Sequence, residues 1–255
     1  MILDITKNKA FTTSQVAKML SVHPNTVRWY EAEGFISPVP RLKNGYRCFT
    51  NRHILQLQVC RLIYGGGFAN PKIREASNEI LFLLSEWKIN NSLKQAKYYL
   101  SLIETEYNKA LETTAILVNW VSHDINKSPG KTYTRKEAAN LLDITTEVLR
   151  NWERNGLINV TRSGKKNEKV YNENVIDRLR VIYMLRQNNH SIAAIKQSLS
   201  CFDSGNSTGA ALALNQPITD SERVYMVAGD HWLEVLWDLS IRAKNIIDII
   251  ERIKK

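Results

Sequence analysis

Slid along itself by 122 residues, the sequence comes back into register without a gap. Val16-Ala17 then faces Ala138-Ala139, Leu20 faces Leu142, and Val27-Arg28 faces Leu149-Arg150. Tyr30-Glu31 meets Trp152-Glu153, and Gly34-Phe35-Ile36 meets Gly156-Leu157-Ile158. The match runs on through Phe49 and Tyr171, Ile54 and Ile176, and Leu57 and Leu179 to Ile73 and Ile195. A register that keeps an arginine, a glutamate, a glycine and the apolar pattern marks a duplicated module, so the chain has to fold as two copies of one unit plus what joins them.

Each copy reads as helix, turn, helix and basic wing. Thr13 or Thr134 can cap a short helix (Ser14–Leu20; Arg135–Leu142) with apolar residues at helical spacing. A tight turn follows at Ser21-Val22 or Asp143-Ile144, and a second helix starts after His23-Pro24 or Thr145-Thr146. Pro24 suits a first helical turn, where its missing N–H has no partner to lose. Gly34 and Gly156 close the second helix as left-handed caps. Next comes a polar stretch, Arg41-Leu-Lys-Asn-Gly-Tyr-Arg47 or Arg162-Ser-Gly-Lys-Lys-Asn-Glu-Lys169, in which Asn44-Gly45 predicts a two-residue hairpin turn. A third helix (about 50–64; about 172–186) and a short fourth one around Ile73 and Ile195 complete a winged helix-turn-helix.

Thr26-Val-Arg-Trp-Tyr-Glu-Ala-Glu-Gly-Phe-Ile36, followed by Asn44-Gly-Tyr-Arg-Cys-Phe49, resembles the signature of the mercury-resistance-regulator (MerR) family, a T-x-R-Y-Y-E-x-x-G-L-[IL] helix and an N-G-Y-R-x-Y wing. The second copy, Val148-Leu-Arg-Asn-Trp-Glu-Arg-Asn-Gly-Leu-Ile158, is similar but looser. Trp29 and Asn151 stand where the family has Tyr, and Glu168 replaces the wing Tyr. The resemblance implies that the second helix enters the major groove of double-stranded DNA and that the wing grips the flanking backbone. By position it assigns DNA contacts to Arg28, Trp29 and Arg47 in copy one and to Arg150, Asn151 and Lys169 in copy two. Asn25, Thr26, Arg41, Lys43 and Tyr46, with Thr146, Arg162, Lys165 and Lys166, complete the candidate set. The chemistry fits: Arg presents a planar fork to phosphate or guanine, and Asn can pair with adenine. Lys43, Lys165 and Lys166 read as phosphate neutralisers, which position without specifying. Core packing is the alternative reading of Trp29. Tyr30 and Trp152 read as packing, and Glu31 and Glu153 as structural partners of a helix or a basic group. Glu147 puts an anion on the second recognition helix, so copy two would read a different half-site or grip more weakly.

Charge follows the same division. Residues 1–75 carry eleven Lys+Arg against four Asp+Glu, and residues 131–200 carry thirteen against seven. The blocks 76–130 and 201–255 are slightly acidic, so the net charge of +10 comes from the two modules. A polyanion touching both would favour that pattern.

Between the modules, Leu93, Ala96, Leu100, Ile103, Tyr107, Ala110, Thr114, Leu117 and Val121 recur at alternating spacings of three and four. Trp232, Leu236, Leu239, Ala243, Ile246, Ile250 and Ile253 do the same after the second module. Such spacing predicts coiled-coil seams. A helix over Ser92–Val121 would be about 45 Å long at 1.5 Å per residue. The resemblance implies that such helices pair antiparallel, normally one from each of two subunits; paired so within one chain, the first delivers the chain to the second module, and only the polar segment Ser122–Lys131 has to turn the corner. The expected architecture is therefore mainly α: two winged helix-turn-helix domains (10–75 and 132–200), each followed by a long coiled-coil-type helix, in the connector 76–121 and in 230–255. Residues 201–229 read as a linker, and the two helices pair within one chain as a monomeric pseudo-dimer. A conventional homodimer is the competing arrangement.

Other classes are poorly served. An odd count of three scattered cysteines (Cys48, Cys60, Cys201), with no CxxC, points to a reducing cytosol and away from a disulfide scaffold or a zinc site. One thiol before the last helix is too few for a soft-metal cage, so no cofactor or metal is expected. Gly65-Gly66-Gly67 is followed by neither Lys-Ser nor Lys-Thr, and no nucleophile or paired-carboxylate motif appears, so no enzyme is expected. Trp87, Trp120, Trp232 and Trp237 lie on or near the long helices and could line an apolar pocket, although packing is their commoner fate. The resemblance implies a bacterial transcription regulator that grips two half-sites of a promoter, distorts the DNA between them and works with RNA polymerase in the cytoplasm, on the nucleoid. The alternative is an architectural DNA protein of the excisionase type.

Overall fold

The computed structural model describes residues 10–66, 70–121, 131–163, 168–214 and 224–254, and they form two compact units. The first joins residues up to Glu106 with Val235–Lys255, and the second runs from Tyr107 to Glu234. No helix among the described residues is long and apolar enough to cross a membrane.

In the first unit, α1 (Thr13–Leu20) and α2 (Pro24–Ala32) make the helix-turn-helix. The start of α1 is set by Thr12, not Thr13: its hydroxyl accepts from the Gln15 N–H while the Gln15 side chain accepts from the Thr12 N–H. Such a capping box needs Gln or Glu three residues on, which Thr12 has and Thr13 lacks. His23 caps α2, its Nδ1 accepting from the Asn25 N–H at 3.2 Å, and Pro24 takes the first helical position. The chain then leaves through Gly34, at φ +75°. After the wing come α3 (Asn51–Tyr64) and α4 (Pro71–Ser85), the latter longer than the short helix expected.

The second unit repeats this in register. Thr134 and Glu137 form the capping box of α6 (Arg135–Leu142), Thr145 caps α7 (Thr146–Arg154), and Gly156 follows at φ +71°. Strands β1 (Thr132–Tyr133), β2 (Thr161–Ser163) and β3 (Glu168–Asn172) form an antiparallel sheet in the order β1-β3-β2, with Tyr133 opposite Tyr171 and Arg162 opposite Lys169. In the first unit the same places are isolated bridges, Phe11 to Phe49 and Arg41 to Arg47. Helices α8 (Glu173–Gln187) and α9 (Ile192–Asp203) complete the module.

The cores match residue for residue. Val16, Ala17, Leu20, Val27, Tyr30, Phe35, Ile36, Phe49, Ile54 and Leu57 are buried in one, as are Ala138, Ala139, Leu142, Leu149, Trp152, Leu157, Ile158, Tyr171, Ile176 and Leu179 in the other. Cys60 is buried too, and burial pushes its thiol pKa up.

Three further expectations need correction. The stretch 201–229 is not a plain linker: it contains α10 (Ser207–Ala213), capped by the Asn206 side chain and seated on Ala210, Ala211 and Leu214, all buried. The last helix, α11 (Val224–Lys254), begins six residues earlier than read. Helix α5 (Ile89–Val121) likewise starts before Ser92.

Within the first unit, the early part of α5 buries Ala96, Tyr99 and Ile103, and the late part of α11 buries Leu239, Ala243, Ile246 and Ile250. Lys97 and Glu251 form an ion pair at 3.6 Å between the two helices. Gly65 and Gly66 let α11 come close. A Cβ at Gly65 would stand 2.7 Å from the Arg242 guanidinium, and one at Gly66 would stand 3.5 Å from the Leu239 side chain. Arg242 thus lies at the C-terminal end of α3, where a helix favours a cation.

Residues 122–130, Gly67 and the segment 164–167, with Lys165 and Lys166, lie outside the described residues, as does the Trp120 side chain.

Candidate nucleic-acid interface

Helix α2 buries Val27 and Tyr30 and leaves Asn25, Arg28 and Trp29 exposed, with Thr26 half-buried. Helix α7 buries Leu149 and Trp152 and leaves Glu147 and Arg150 exposed, with Thr146 and Asn151 half-buried. The 3.6-residue period makes this division unavoidable: once Val27/Tyr30 or Leu149/Trp152 enter the core, positions 28 and 150 face outward.

The Arg28 Nη1 donates to the Asn25 side-chain oxygen at 2.6 Å. The same reach in α7 takes Arg150 to the Glu147 carboxylate at 3.0 Å, and the other oxygen of Glu147 accepts from Arg154 at 2.9 Å. The network was legible as a Glu with arginines three and seven positions on, and Arg154 was missed. The Asn151 side chain accepts from Asn155 at 3.2 Å.

Each wing is fastened to its recognition helix by a glutamate. Glu31 of α2 accepts from Arg41 at 3.1 Å and from Arg47 at the opposite bridge position. Glu153 of α7 accepts from Lys169 of β3, from the Tyr171 hydroxyl, and from Arg135 through two bonds of 3.2 Å. Burial of Glu153 opposes its charge, but the bonds from Lys169, Tyr171 and Arg135 prevail and hold its pKa below the usual carboxylate range. Burial and the bond to Glu153 push Tyr171 up to about 12. The structural role read for both glutamates is the one they fill. Arg41, Arg47 and Lys169 therefore serve the wing's attachment, with only part of each side chain left outward. Arg135 went unread because its partner lies eighteen residues away in the sequence.

The first wing turns differently from the expectation. Leu42 N–H donates to the Tyr46 carbonyl and Gly45 N–H to the Leu42 carbonyl, each at 2.8 Å, so the loop is Lys43-Asn44-Gly45. Gly45 alone has positive φ, +80°. A two-residue Asn-Gly turn needs φ above zero at both residues, whereas the three-residue loop needs it only at the glycine. The loop leaves Lys43 and Tyr46 exposed at the tip, Tyr46 at 67%. In the second wing Arg162 is exposed opposite Lys169.

Trp29 packs on its own module and stays partly outward. Its ring meets Tyr64 edge-on at 5.1 Å and Phe35 at 5.8 Å, yet 42% of the residue is exposed. Among the described residues no group of three or more His, Cys, Asp or Glu is placed to hold a metal ion.

The family models divide the chain as the structure does. Residues 12–49 match the MerR family regulatory protein model, and residues 133–200 match the MerR HTH family regulatory protein model. Two stretches of the chain are thus similar, in tandem, to MerR-family models. Among relatives, the HTH-type transcriptional regulator CueR of Escherichia coli O6:H1 is 33% identical over 73 residues, 29% of this chain and 51% of its own length. The CueR of Salmonella typhi is 36% identical over 65 residues, 26% of this chain and 47% of its own length. The Multidrug-efflux transporter 2 regulator of Bacillus subtilis is 28% identical over 155 residues, 55% of this chain and 57% of its own length. The chain thus spans about half the length of the relatives it matches. No solved structure matches it significantly.

Proposed function

We propose that this chain is a sequence-specific, double-stranded-DNA-binding transcription regulator that holds two half-sites of a promoter with its two MerR-type modules and distorts the DNA between them. The observation that carries this reading is the duplicated arrangement of an exposed arginine on the second helix, Arg28 or Arg150, beside a wing fastened to that helix by Glu31 or Glu153. Arg and Lys around such a helix supply the phosphate attraction that sets affinity, and the outward positions of the helix supply base contacts. The three relatives, named as transcriptional or transporter regulators, support it.

The chain acts as a monomeric pseudo-dimer. Its support is local: the first unit already holds the start of α5 against the end of α11, joined by Lys97 and Glu251, which is what antiparallel pairing inside one polypeptide requires. RNA polymerase at the same promoter is the functional partner, and the protein works on the nucleoid.

Footprinting of the full chain on genomic fragments tests the reading. Two protected patches are expected, with Arg28→Ala and Arg150→Ala each erasing one, together with changed cleavage between them where the duplex is deformed. One short patch that ignores Arg150→Ala would remove the second module from the mechanism. Transcription in vitro with purified polymerase then separates a regulator, which changes promoter output, from an architectural protein, which does not.

A further inference from the structure

The two recognition helices share their arginine but differ at the position three residues before it. Asn25 and Glu147 occupy the same place in register, both exposed, and each bonds the arginine one turn on. Their chemistry is opposite. An amide has two N–H donors as well as its oxygen, while an ionised carboxylate only accepts. The Asn25 oxygen already accepts from Arg28, which leaves its N–H2 as the group offered outward. Glu147 has one oxygen on Arg150 and the other on Arg154, so its charge is balanced within its own helix and only acceptor lone pairs remain. Neither contact ties the residue to the rest of its module. The Glu147 side chain is 62% exposed, and both of its partners lie on α7.

The major-groove edges of the bases carry the matching code. Guanine and the thymine O4 offer acceptors, cytosine N4 and adenine N6 offer donors, and side-chain amides and carboxylates discriminate between them. We propose that positions 25 and 147 determine base specificity. Asn25 selects an acceptor edge, guanine or thymine, and Glu147 selects a donor edge, cytosine or adenine. One polypeptide then reads an operator with two unlike halves and binds it in a single orientation. A homodimer with identical helices has no such means of choosing orientation. The inference rests on the DNA-binding function proposed above and adds which residues make the halves differ.

The test is selection of bound duplexes from a randomised pool by the full chain, followed by sequencing, for wild type, Glu147→Asn, Asn25→Glu and the double exchange. The expected wild-type result is two unlike half-sites. Glu147→Asn should shift one position of one half-site from a donor base to an acceptor base, by about tenfold in preference. Asn25→Glu should do the reverse in the other half, and the double exchange should invert the orientation of the bound site. Both residues are exposed, so the variants should keep the wild-type unfolding midpoint to within a degree or two. If Glu147→Asn tightens binding to every sequence alike, Glu147 only masks Arg150 and Arg154, and the assignment falls. Selected sites that are unchanged in all variants overturn it as well. If the wild type enriches no sequence at all, the DNA-reading function fails along with it, an outcome distinct from enrichment with unmoved bases.

Discussion

Arg28 and Arg150 hold the same position in register and keep different company, so their loss should not cost the same. Arg28 leans on a neutral amide and keeps its full charge for DNA, whereas Arg150 shares Glu147 with Arg154. Arg28→Ala should therefore lower the preference for operator over random duplex by about 1–3 kcal/mol. Arg150→Ala should lower it less, as competition binding at fixed salt will measure. Glu153 is a different case, since its importance is to the fold. Its pKa is lowered in the folded state, so the stability it contributes is present above the ordinary carboxylate value of 4.5 and is lost as pH falls through the folded value. Thermal unfolding followed against pH should show an acid-side loss in the second module. Glu153→Gln should remove that pH dependence while lowering the midpoint at neutral pH, because Arg135 and Lys169 lose their partner. A Glu153→Gln variant with an unchanged acid limb would assign that limb to other carboxylates.

At the scale of elements, the duplication keeps positions while changing chemistry. Gln56 of α3 and Arg178 of α8 share a register, and each ties the core helix to what surrounds it. Gln56 is buried: it accepts from the Ser37 N–H at 3.0 Å and donates to the Leu84 carbonyl at 2.7 Å. Arg178 instead donates to the Leu157 carbonyl and forms a two-pronged pair with Asp203, all at 2.8 Å. Gln56→Leu keeps the volume but strands the Ser37 N–H, so it should cost about 3 kcal/mol in chemical denaturation. Arg178→Leu, whose pair is part-exposed, should cost less. The helices that carry the interface were legible because their starts are written in short-range chemistry, Thr134 with Glu137 or His23 with Pro24. What was not legible depends on partners far along the chain. Gly205 and Gly209 amid Ser and Asn make the start of 201–229 look like a connector. Burial of Ala210, Ala211 and Leu214 decides in favour of a helix, and no local pattern reports that burial. The wing loop was misread because Asn-Gly fits two hairpin loops, and only the bonds of Leu42 choose between them. In the candidate site, Arg28 and Arg150 came from the family resemblance and lie on the outward face that helical periodicity leaves, whereas the Arg135–Glu153 link required the fold.

For the whole molecule, the question is which polypeptide supplies α11 to the first unit. Ala96, Tyr99 and Ile103 of α5 are buried in the same body as Leu239, Ala243, Ile246 and Ile250 of the chain's own α11, which supports pairing within one polypeptide. Arg242 also sits against the glycines that end α3. An apolar seam already covered within the chain offers little to a second copy, because the hydrophobic gain comes from area removed from water and that area is already dry. The full chain should therefore scatter light as a single 29.3 kDa species across a wide concentration range. Truncation after Glu234 removes Leu239, Arg242 and their neighbours and leaves the α5 seam bare. The shortened chain should lose the stability of its first unit and self-associate as concentration rises, while the second unit, which ends at Glu234, keeps its unfolding midpoint. A full-length mass near twice that of the chain would place the same helix contacts between subunits, and the two DNA-reading modules of one polypeptide would then no longer form a pair by themselves.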